Sequence, residues 1–412
     1  MPRPTAVLCG AVIAIAGMFT ATPADAVPRL PAAAPPLSDG AIFNDPTQPT
    51  AQYRIVNYLR RLIQQAAPGS TIRLAVQYLT LDTIADDLTS AHTRGVNIKV
   101  IVDFESTHLQ NPDDGTFYPT PAWTTVTAGL GTDTTRASWA MNCTRDAACI
   151  GTAGTPVMQN KFALFSSTAG ATNVVFQTSA NLSADQQENA WNNAVSLSGN
   201  TALYNAYGAY FTDLAAMAKT ADYYRSTTAG TAKVYFFPRA QPAGTSDVDS
   251  DSIVEILNNI TCTGNANNGG KTLIRVAMYF FTRTAVADKL WDLDNEGCQV
   301  QVLYTLLGDG AKTQLTQPGG AGGEPELRNS NAHYNDPDGN RQPMYVHSKY
   351  LLVEGNYFGI PDDKVVFTGS PNYTIDGLRY NDETLLKIEN SLVHDQYRQN
   401  FTDAWNASAT PD

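Results

Sequence analysis

Ile72-Arg73-Leu74-Ala75-Val76-Gln77-Tyr78-Leu79-Thr80 reads as a β-strand, and the chain repeats it as Ile274-Arg275-Val276-Ala277-Met278-Tyr279-Phe280-Phe281-Thr282. In each place a helical pattern follows (Thr83 to Thr93; Ala285 to Asn295), then a helix-ending glycine (Gly95; Gly297), then a second strand (Val96 to Asp103; Cys298 to Leu303). Matching residues stand 202 positions apart, from Ile72 and Ile274 to Gly95 and Gly297. A constant offset across strand, helix and strand marks an internal duplication. Upstream, Ala41 to Phe43 and Lys233 to Phe237 read as first strands, each followed by a helix (Ala51 to Gln65; Asp251 to Asn259). Each half therefore reads β-α-β-α-β, a long loop (Glu105 to Pro156; Gly308 to Pro343), two more strands and a helical tail. Strands alternating with helices imply an α/β protein of two tandem lobes, each a mostly parallel mixed sheet flanked by helices.

Downstream, two further segments match at an offset of 188, from Gln159 to His347. The second-half segment is His347-Ser348-Lys349-Tyr350-Leu351-Leu352-Val353-Glu354, followed by Thr368-Gly369-Ser370-Pro371-Asn372. A His and a Lys two apart on a strand point to the same face, so a nucleophilic imidazole and a fixed cation can meet one phosphate. The first-half segment is Gln159-Asn160-Lys161-Phe162-Ala163-Leu164-Phe165-Ser166, followed by Thr178-Ser179-Ala180-Asn181. It keeps the lysine, serine and asparagine, but has Gln159 at the histidine's place and Ser166 at the acid's. Further on, Asn381-Asp382-Glu383 stands in the second half against Asn192-Asn193-Ala194 in the first.

The order H-x-K-x-x-x-x-(D/E), an apolar strand, then G-S-x-N resembles the half-site signature of the phospholipase D superfamily, and the resemblance runs from Ala41 to Trp405. It implies lobes facing each other about a pseudo-twofold axis, with both H-x-K pairs in one cleft. One histidine would attack phosphorus to form a phosphohistidine, and the other would protonate the departing alcohol. Lysines and asparagines would hold the nonbridging oxygens. Neither metal nor cofactor is implied. Carried over residue by residue, His347 is the nucleophile, Lys349 and Lys161 stabilise charge, Glu383 orients His347, and Gln159 occupies the first histidine's place. Asn372, Ser370, Asn181, Ser179 and Glu354 would bind substrate, Glu354 as a structural anchor.

Gln159 cannot deliver a proton near neutral pH, and losing a general acid typically costs about 100- to 10,000-fold in rate. His108, after the first half's third strand, lies at the end where parallel-sheet sites form and is a candidate to reach the cleft, although a lone loop histidine more often reads as a structural or surface residue. His92, His333 and His394 are scattered and read as structural or surface residues. The implied activity is cleavage of the head-group phosphodiester of a glycerophospholipid, by hydrolysis or alcohol exchange. A binding protein without turnover and an endonuclease of the same superfamily are the alternatives.

The N-terminus sets the expected compartment. Arg3 precedes an apolar run from Ala6 to Phe19, and Ala24-Asp25-Ala26 before Val27 fits a small-x-small cleavage site, so residues 1–26 read as a secretory signal peptide. Residues 27–40 then form a linker, 41–225 and 226–406 the two lobes, and 407–412 a tail. Cleavage removes Cys9 and leaves Cys143, Cys149, Cys262 and Cys298, an even number in an exported chain. Of the three possible pairings, Cys143–Cys149 and Cys262–Cys298 is favoured, each bridge stapling one half. The net charge of −12 works against electrostatic capture of nucleic acid. The expected partner is a phospholipid at a membrane or micelle surface, met by an extracellular monomer.

Overall fold

The duplicated strands are apolar on both faces because both faces are covered. Ile72, Leu74 and Val76 pack under the helices of their own lobe, and Ala75 turns toward the other lobe. The computed structural model describes residues 39–110, 116–246, 248–319, 323–330, 332–335 and 341–408. The expected signal peptide, nearly all of the linker and most of the tail lie outside these residues.

The first half runs β1 (Gly40–Phe43), α1 (Arg54–Gln64), β2 (Thr71–Val76), α2 (Asp82–Thr93) and β3 (Asn97–Val102). A hairpin of β4 (His108–Gln110) and β5 (Phe117–Pro119) leads to α3 (Pro121–Leu130) and β6 (Trp139–Asn142). Then come β7 (Lys161–Thr168), β8 (Ala171–Thr178), α4 (Ala184–Glu188), β9 (Ala190–Trp191), β10 (Asn193–Leu197) and α5 (Thr201–Ala215).

The second half opens with β11 (Arg225–Ala229), β12 (Ala232–Phe236) and α6 (Ser252–Leu257), then three short strands, β13 (Ile260–Thr261), β14 (Thr263–Asn265) and β15 (Gly270–Lys271). The duplicated unit follows as β16 (Leu273–Phe281), α7 (Thr284–Asn295), β17 (Gln299–Leu307), α8 (Asp309–Leu315) and β18 (Glu326–Asn329). After β19 (Ala332–Asn335) and β20 (Arg341–Val346) come β21 (Lys349–Tyr357), β22 (Ile360–Gly369), α9 (Ile375–Arg379), β23 (Thr384–Glu389) and α10 (Ser391–Asn406).

The first sheet is ordered β1-β10-β8-β7-β2-β3-β6 and the second β11-β12-β23-β22-β21-β16-β17-β18, the same order once β12 is matched to β1. Five of the first sheet's seven strands point one way, as a mostly parallel mixed sheet requires. Within these two sheets, neighbouring described strands pair in parallel along β2-β3-β6 and β16-β17-β18 and antiparallel elsewhere. The reversals come from two-residue hairpins, Ala169-Gly170 and Phe358-Gly359, with positive φ at both residues in each (51° and 76°; 54° and 77°).

The two long loops hold more order than their composition suggests. Each supplies a further helix and an edge strand, α3 with β6 and α8 with β18, which extend the duplication. Thr120 caps α3 by accepting from the Trp123 N–H, and Pro121 fills its first turn. The predicted strand to Thr80 instead ends at Val76. There the main chain turns to bond the motif segments, Gln77 N to Asn160 O at 3.0 Å and Thr80 N to Leu182 O at 2.9 Å.

One core lies outside each sheet, under α1–α3 and under α6–α8, and a third joins the inner faces of both sheets with α5 and α10. Cys143–Cys149 and Cys262–Cys298 are both bridged as expected. Among the described residues no helix is long and apolar enough to cross a membrane.

His394 on α10 is fully buried, and both ring nitrogens lack a hydrogen-bond partner among the described residues. Burial first, then Lys364, lowers its pKa from 6.5 to about 4, with Asp395 opposing and Arg275 adding to the depression. The unfolded chain therefore binds the extra proton between those values, and stability falls as pH drops through that window. We expect His394→Leu to lose less stability than the parent between pH 7 and 4.5, by roughly 2 to 3 kcal/mol, in denaturant melts at both pH values. Equal losses would remove His394 as the source.

Candidate active site

The site forms where the parallel strands end. Val76 at the end of β2 pairs with Lys161, the first residue of β7, and Met278 on β16 pairs with Lys349, the first residue of β21. The residues before each lysine leave their own sheet and bond the opposite lobe. His347 N donates to Trp191 O at 2.9 Å and Tyr345 N to Asn189 O at 3.1 Å. In the mirrored place, Gln159 N donates to Asp382 O and Asp382 N to Val157 O, both at 3.1 Å. Each motif is therefore threaded onto the residues that precede Asn192 or Glu383 in the other half.

This threading decides what touches the imidazole. His347 Nδ1 lies 3.1 Å from Asn192 Oδ1, and the Ser179 hydroxyl donates to the same oxygen at 2.8 Å. Asn192 Nδ2 donates to Gln186 O at 2.9 Å, which fixes the amide so that its oxygen faces the ring. Nδ1 is then the donor, and Nε2 carries the lone pair. Glu383, expected to orient His347, stands instead on the Gln159 side, where Asn381 Nδ2 donates to Gln159 Oε1 at 3.1 Å and to Glu383 Oε1 at 3.4 Å.

The counterpart of Glu383 is Asn192, at the same separation of 191 as Ser179 and Ser370, and not Ala194. Histidine and carboxylate are thus not lost together from one half-site. The surviving histidine has an amide partner, and the surviving carboxylate faces a glutamine.

Both lysines are buried. Lys161 Nζ donates to Gln77 Oε1 at 3.1 Å and Gln159 O at 2.8 Å. Lys349 Nζ donates to His347 O at 2.7 Å and sits 5.2 Å from the Tyr279 ring centroid. Burial draws the Lys161 pKa down to about 8 against the pull of Glu383 and Asp103. Burial and then the Lys161 charge push Lys349 well below its usual value, with Glu383 opposing. Burial, then Lys349 and Lys161, push His347 well below 6.5, so its ring is neutral at neutral pH. Burial raises Glu383 to about 7, with Lys161 the chief opposing influence. This mutual influence brings both half-sites into one electrostatic unit, a cationic floor with a neutral imidazole, suited to gripping a phosphoryl group.

The structure brings His347, Lys349, Lys161, Gln159 and Glu383 together. Asn372 is buried, and its Oδ1 has no hydrogen-bond partner among the described residues. Asn181 Oδ1 accepts from Tyr78 N at 3.4 Å. Ser179 and Ser370, expected to bind substrate, serve the neighbouring Asn192 and Glu383 instead. Glu354 leaves the site altogether. It lies five residues along β21 from Lys349, hence on the opposite face, and its Oε2 is 3.7 Å from Arg275. His108 stays on its hairpin, bonded to Thr107 Oγ1 at 2.6 Å and stacked on Phe104.

Sequence reasoning passed over Asn192 and Gln77. The offset of 191 would have found the first, and the offset of 202 pairs Gln77 with Tyr279, so that each lysine has its partner from the same strand end. A cavity of about 330 Å³ lined by Lys271, Asp294, Gln299, Glu324 and Glu326 lies at the opposite end of the second sheet and takes no part.

Two lobes of one duplicated α/β unit meet at a buried pair of lysines with an imidazole, an arrangement suited to a phosphoryl group. Residues 59–215 and 266–405 match the family described as cardiolipin synthase, PLD-like domain. The chain belongs to this PLD-like family, within the phospholipase D superfamily.

Among solved structures, phosphatidylserine synthase from Haemophilus influenzae is similar with a TM-score of 0.58 at 11% identity, covering 90% of this chain and 87% of that one. Polyphosphate kinase from Porphyromonas gingivalis gives 0.52 at 11% identity over 89% of this chain, which spans 50% of the kinase's length. At such identities the likeness concerns the fold alone. No curated protein matches the sequence.

Asn192→Asp would put a carboxylate against Nδ1 and favour the imidazolium. The acid limb of the kcat/KM profile on a phosphodiester substrate should then move to higher pH. An unmoved limb would mean that Asn192 does not hold the ring.

Proposed function

We propose that the chain is a secreted phosphodiesterase that cleaves the head-group phosphodiester of glycerophospholipids, with His347 as nucleophile. The observation that carries this reading is the neutral, amide-anchored His347, with Lys349 and Lys161 buried beside it. Nε2 attacks phosphorus, the head-group alcohol departs, and a phosphohistidine remains. The ammonium groups hold the nonbridging oxygens as their charge grows, in a site dry enough to make that attraction strong. Water then releases phosphatidic acid, or a second alcohol takes the phosphatidyl group.

Three observations support a lipid substrate met outside the cell. The family and one structural neighbour, alike over 90% of this chain, are named for phospholipid synthases. The net charge of −12 argues against a nucleic-acid polyanion. Residues 1–26 have the pattern of a signal peptide, and two disulfides suit an oxidising compartment. A monomer suffices, because one chain supplies both half-sites.

Gln159 favours a second reading, a lipid- or phosphate-binding protein without turnover. Phosphatidic acid formation from phosphatidylcholine vesicles, with His347→Ala as the blank, separates the two. Turnover above the blank is expected, and turnover equal to it would leave the binding protein. Gln159→His should raise turnover by about tenfold or more, because Lys161 and Glu383 still flank that position and Asn181 is retained. No rise, with lipid binding intact, would count for the second reading.

A further inference from the structure

We propose that Glu383 is the proton donor to the departing alcohol, taking over the task of the histidine that Gln159 replaces. The proposal rests on the phosphodiesterase reading above and concerns the same site.

The crossed pairing motivates it. A carboxylate beside the first half-site's histidine position would ordinarily hold an imidazole, and here it has none to hold. Glu383 is fully buried. Its Oε1 takes a long bond of 3.4 Å from Asn381, the Ser370 hydroxyl also acts on the carboxyl, and its Oε2 meets no partner at hydrogen-bonding distance among the described residues. A buried carboxylate oxygen without a donor is costly, whereas a protonated carboxyl carries its own O–H and can give it away. The group also lies within electrostatic reach of both lysines, the cations that would hold the phosphoryl oxygens.

The other titratable groups around it are engaged or unsuited. Gln159 has no proton to give. Lys161 and Lys349 are tied to main-chain carbonyls and must stay charged. His347 is the nucleophile. Asp382 turns away, accepting from Ile150 N at 2.9 Å and Gly151 N at 2.8 Å. The Tyr210 hydroxyl accepts from Asn160 Nδ2 at 2.9 Å, and burial holds its pKa well above 10. The rise of Glu383 to about 7 leaves much of it protonated at neutral pH, as a donor must be.

The step balances. His347 Nε2 bonds to phosphorus as the bond from phosphorus to the leaving oxygen breaks, and that oxygen takes the Glu383 proton. In the return step the Glu383 carboxylate takes a proton from the attacking water, whose oxygen bonds to phosphorus as the P–N bond breaks. Glu383 is then protonated again and His347 is neutral.

A pair of substrates differing only in leaving group tests this, because p-nitrophenolate leaves without a proton and an alkanol does not. Dihexanoyl phosphatidylcholine and dihexanoyl phosphatidyl-p-nitrophenol are hydrolysed by the parent, Glu383→Gln and His347→Ala. Glu383→Gln should slow the choline ester by about 100- to 10,000-fold and the nitrophenyl ester by less than about tenfold. Equal slowing of both would overturn the proposal and leave Glu383 a structural residue.

The parent's pH profile gives a second measurement that does not depend on the variant folding. Choline-ester turnover should decline above about pH 7 and nitrophenyl-ester turnover should not follow it there, whereas deprotonation of Lys161, near pH 8, would slow both alike. A decline shared by both esters from pH 7 would again overturn the proposal. If the parent turns over neither ester above the His347→Ala blank, the phosphodiesterase reading itself fails, and this one with it.

Discussion

The main-chain hydrogen bonds exchanged between the lobes govern everything else in the site. His347 N to Trp191 O and Gln159 N to Asp382 O are equivalent bonds on the two sides of the pseudo-twofold, and each stitches a motif to the opposite half. Buried N–H and C=O groups must be paired, so these segments have little freedom to separate once the inner core of both sheets has closed. Side-chain bonds follow the same crossing: Thr384 Oγ1 donates to Asn160 Oδ1 at 2.6 Å, and Asn193 Nδ2 to Thr368 Oγ1 at 2.7 Å. Neither lobe alone could hold its lysine in this environment, since each supplies part of the other's wall.

That crossing also marks the boundary of what the sequence discloses. The offset of 202 identified β2-α2-β3 and its copy, because strand and helix periodicities are local properties of contiguous residues. It stopped short of α3 and β6 because Pro112, Pro119 and Pro121 and the cysteines dominate the composition of that stretch, although Thr120-Pro121 is itself a helix start. Spacing also linked His347 with Lys349, and the two do meet, although His347 lies outside the strand that Lys349 opens. It could not say that Asn192 would be the neighbour of His347, because that contact joins residues 155 apart through a symmetry no linear pattern encodes. Glu354 shows the reverse error. Its place in a recognised motif suggested the site, whereas simple alternation along β21 already sends it to the other face.

Glycine at 369 illustrates how motif residues can serve the backbone rather than the chemistry. A Cβ there would come within 2.0 Å of Thr384 O, so β22 and β23 could not approach as they do. The first half has Thr178 at the equivalent place, and its hydroxyl bonds Asn193 O at 2.8 Å, a different local solution. Ser179 and Ser370 belong to the same class, their side chains fixing Asn192 and Glu383. Much of what reads as a phosphate motif is thus scaffolding for the few groups that can meet phosphorus.

The crossed loss changes how the degenerate half should be understood. Had the histidine and its own carboxylate disappeared as a unit, one half-site would have kept a complete pair and the other none. Instead each half-site keeps one member. Gln159 preserves a hydrogen bond to Asn381, and Asn192 preserves one to His347, so neither replacement opens the packing or abandons a buried donor. What changes is charge. With Asn192 neutral, Nδ1 meets an amide and not a carboxylate, and burial with the two lysines lets the ring take up a proton only at low pH. With Gln159 neutral, the Glu383 carboxyl has no cationic ring beside it, and Lys161, the Ser370 and Asn381 side chains and Lys349 oppose the effect of burial. The two substitutions therefore act in opposite senses on the two survivors. They hold the imidazole deprotonated and let the carboxyl keep its proton, which is the division of protonation states that a nucleophile and an acid sharing one dry cleft require.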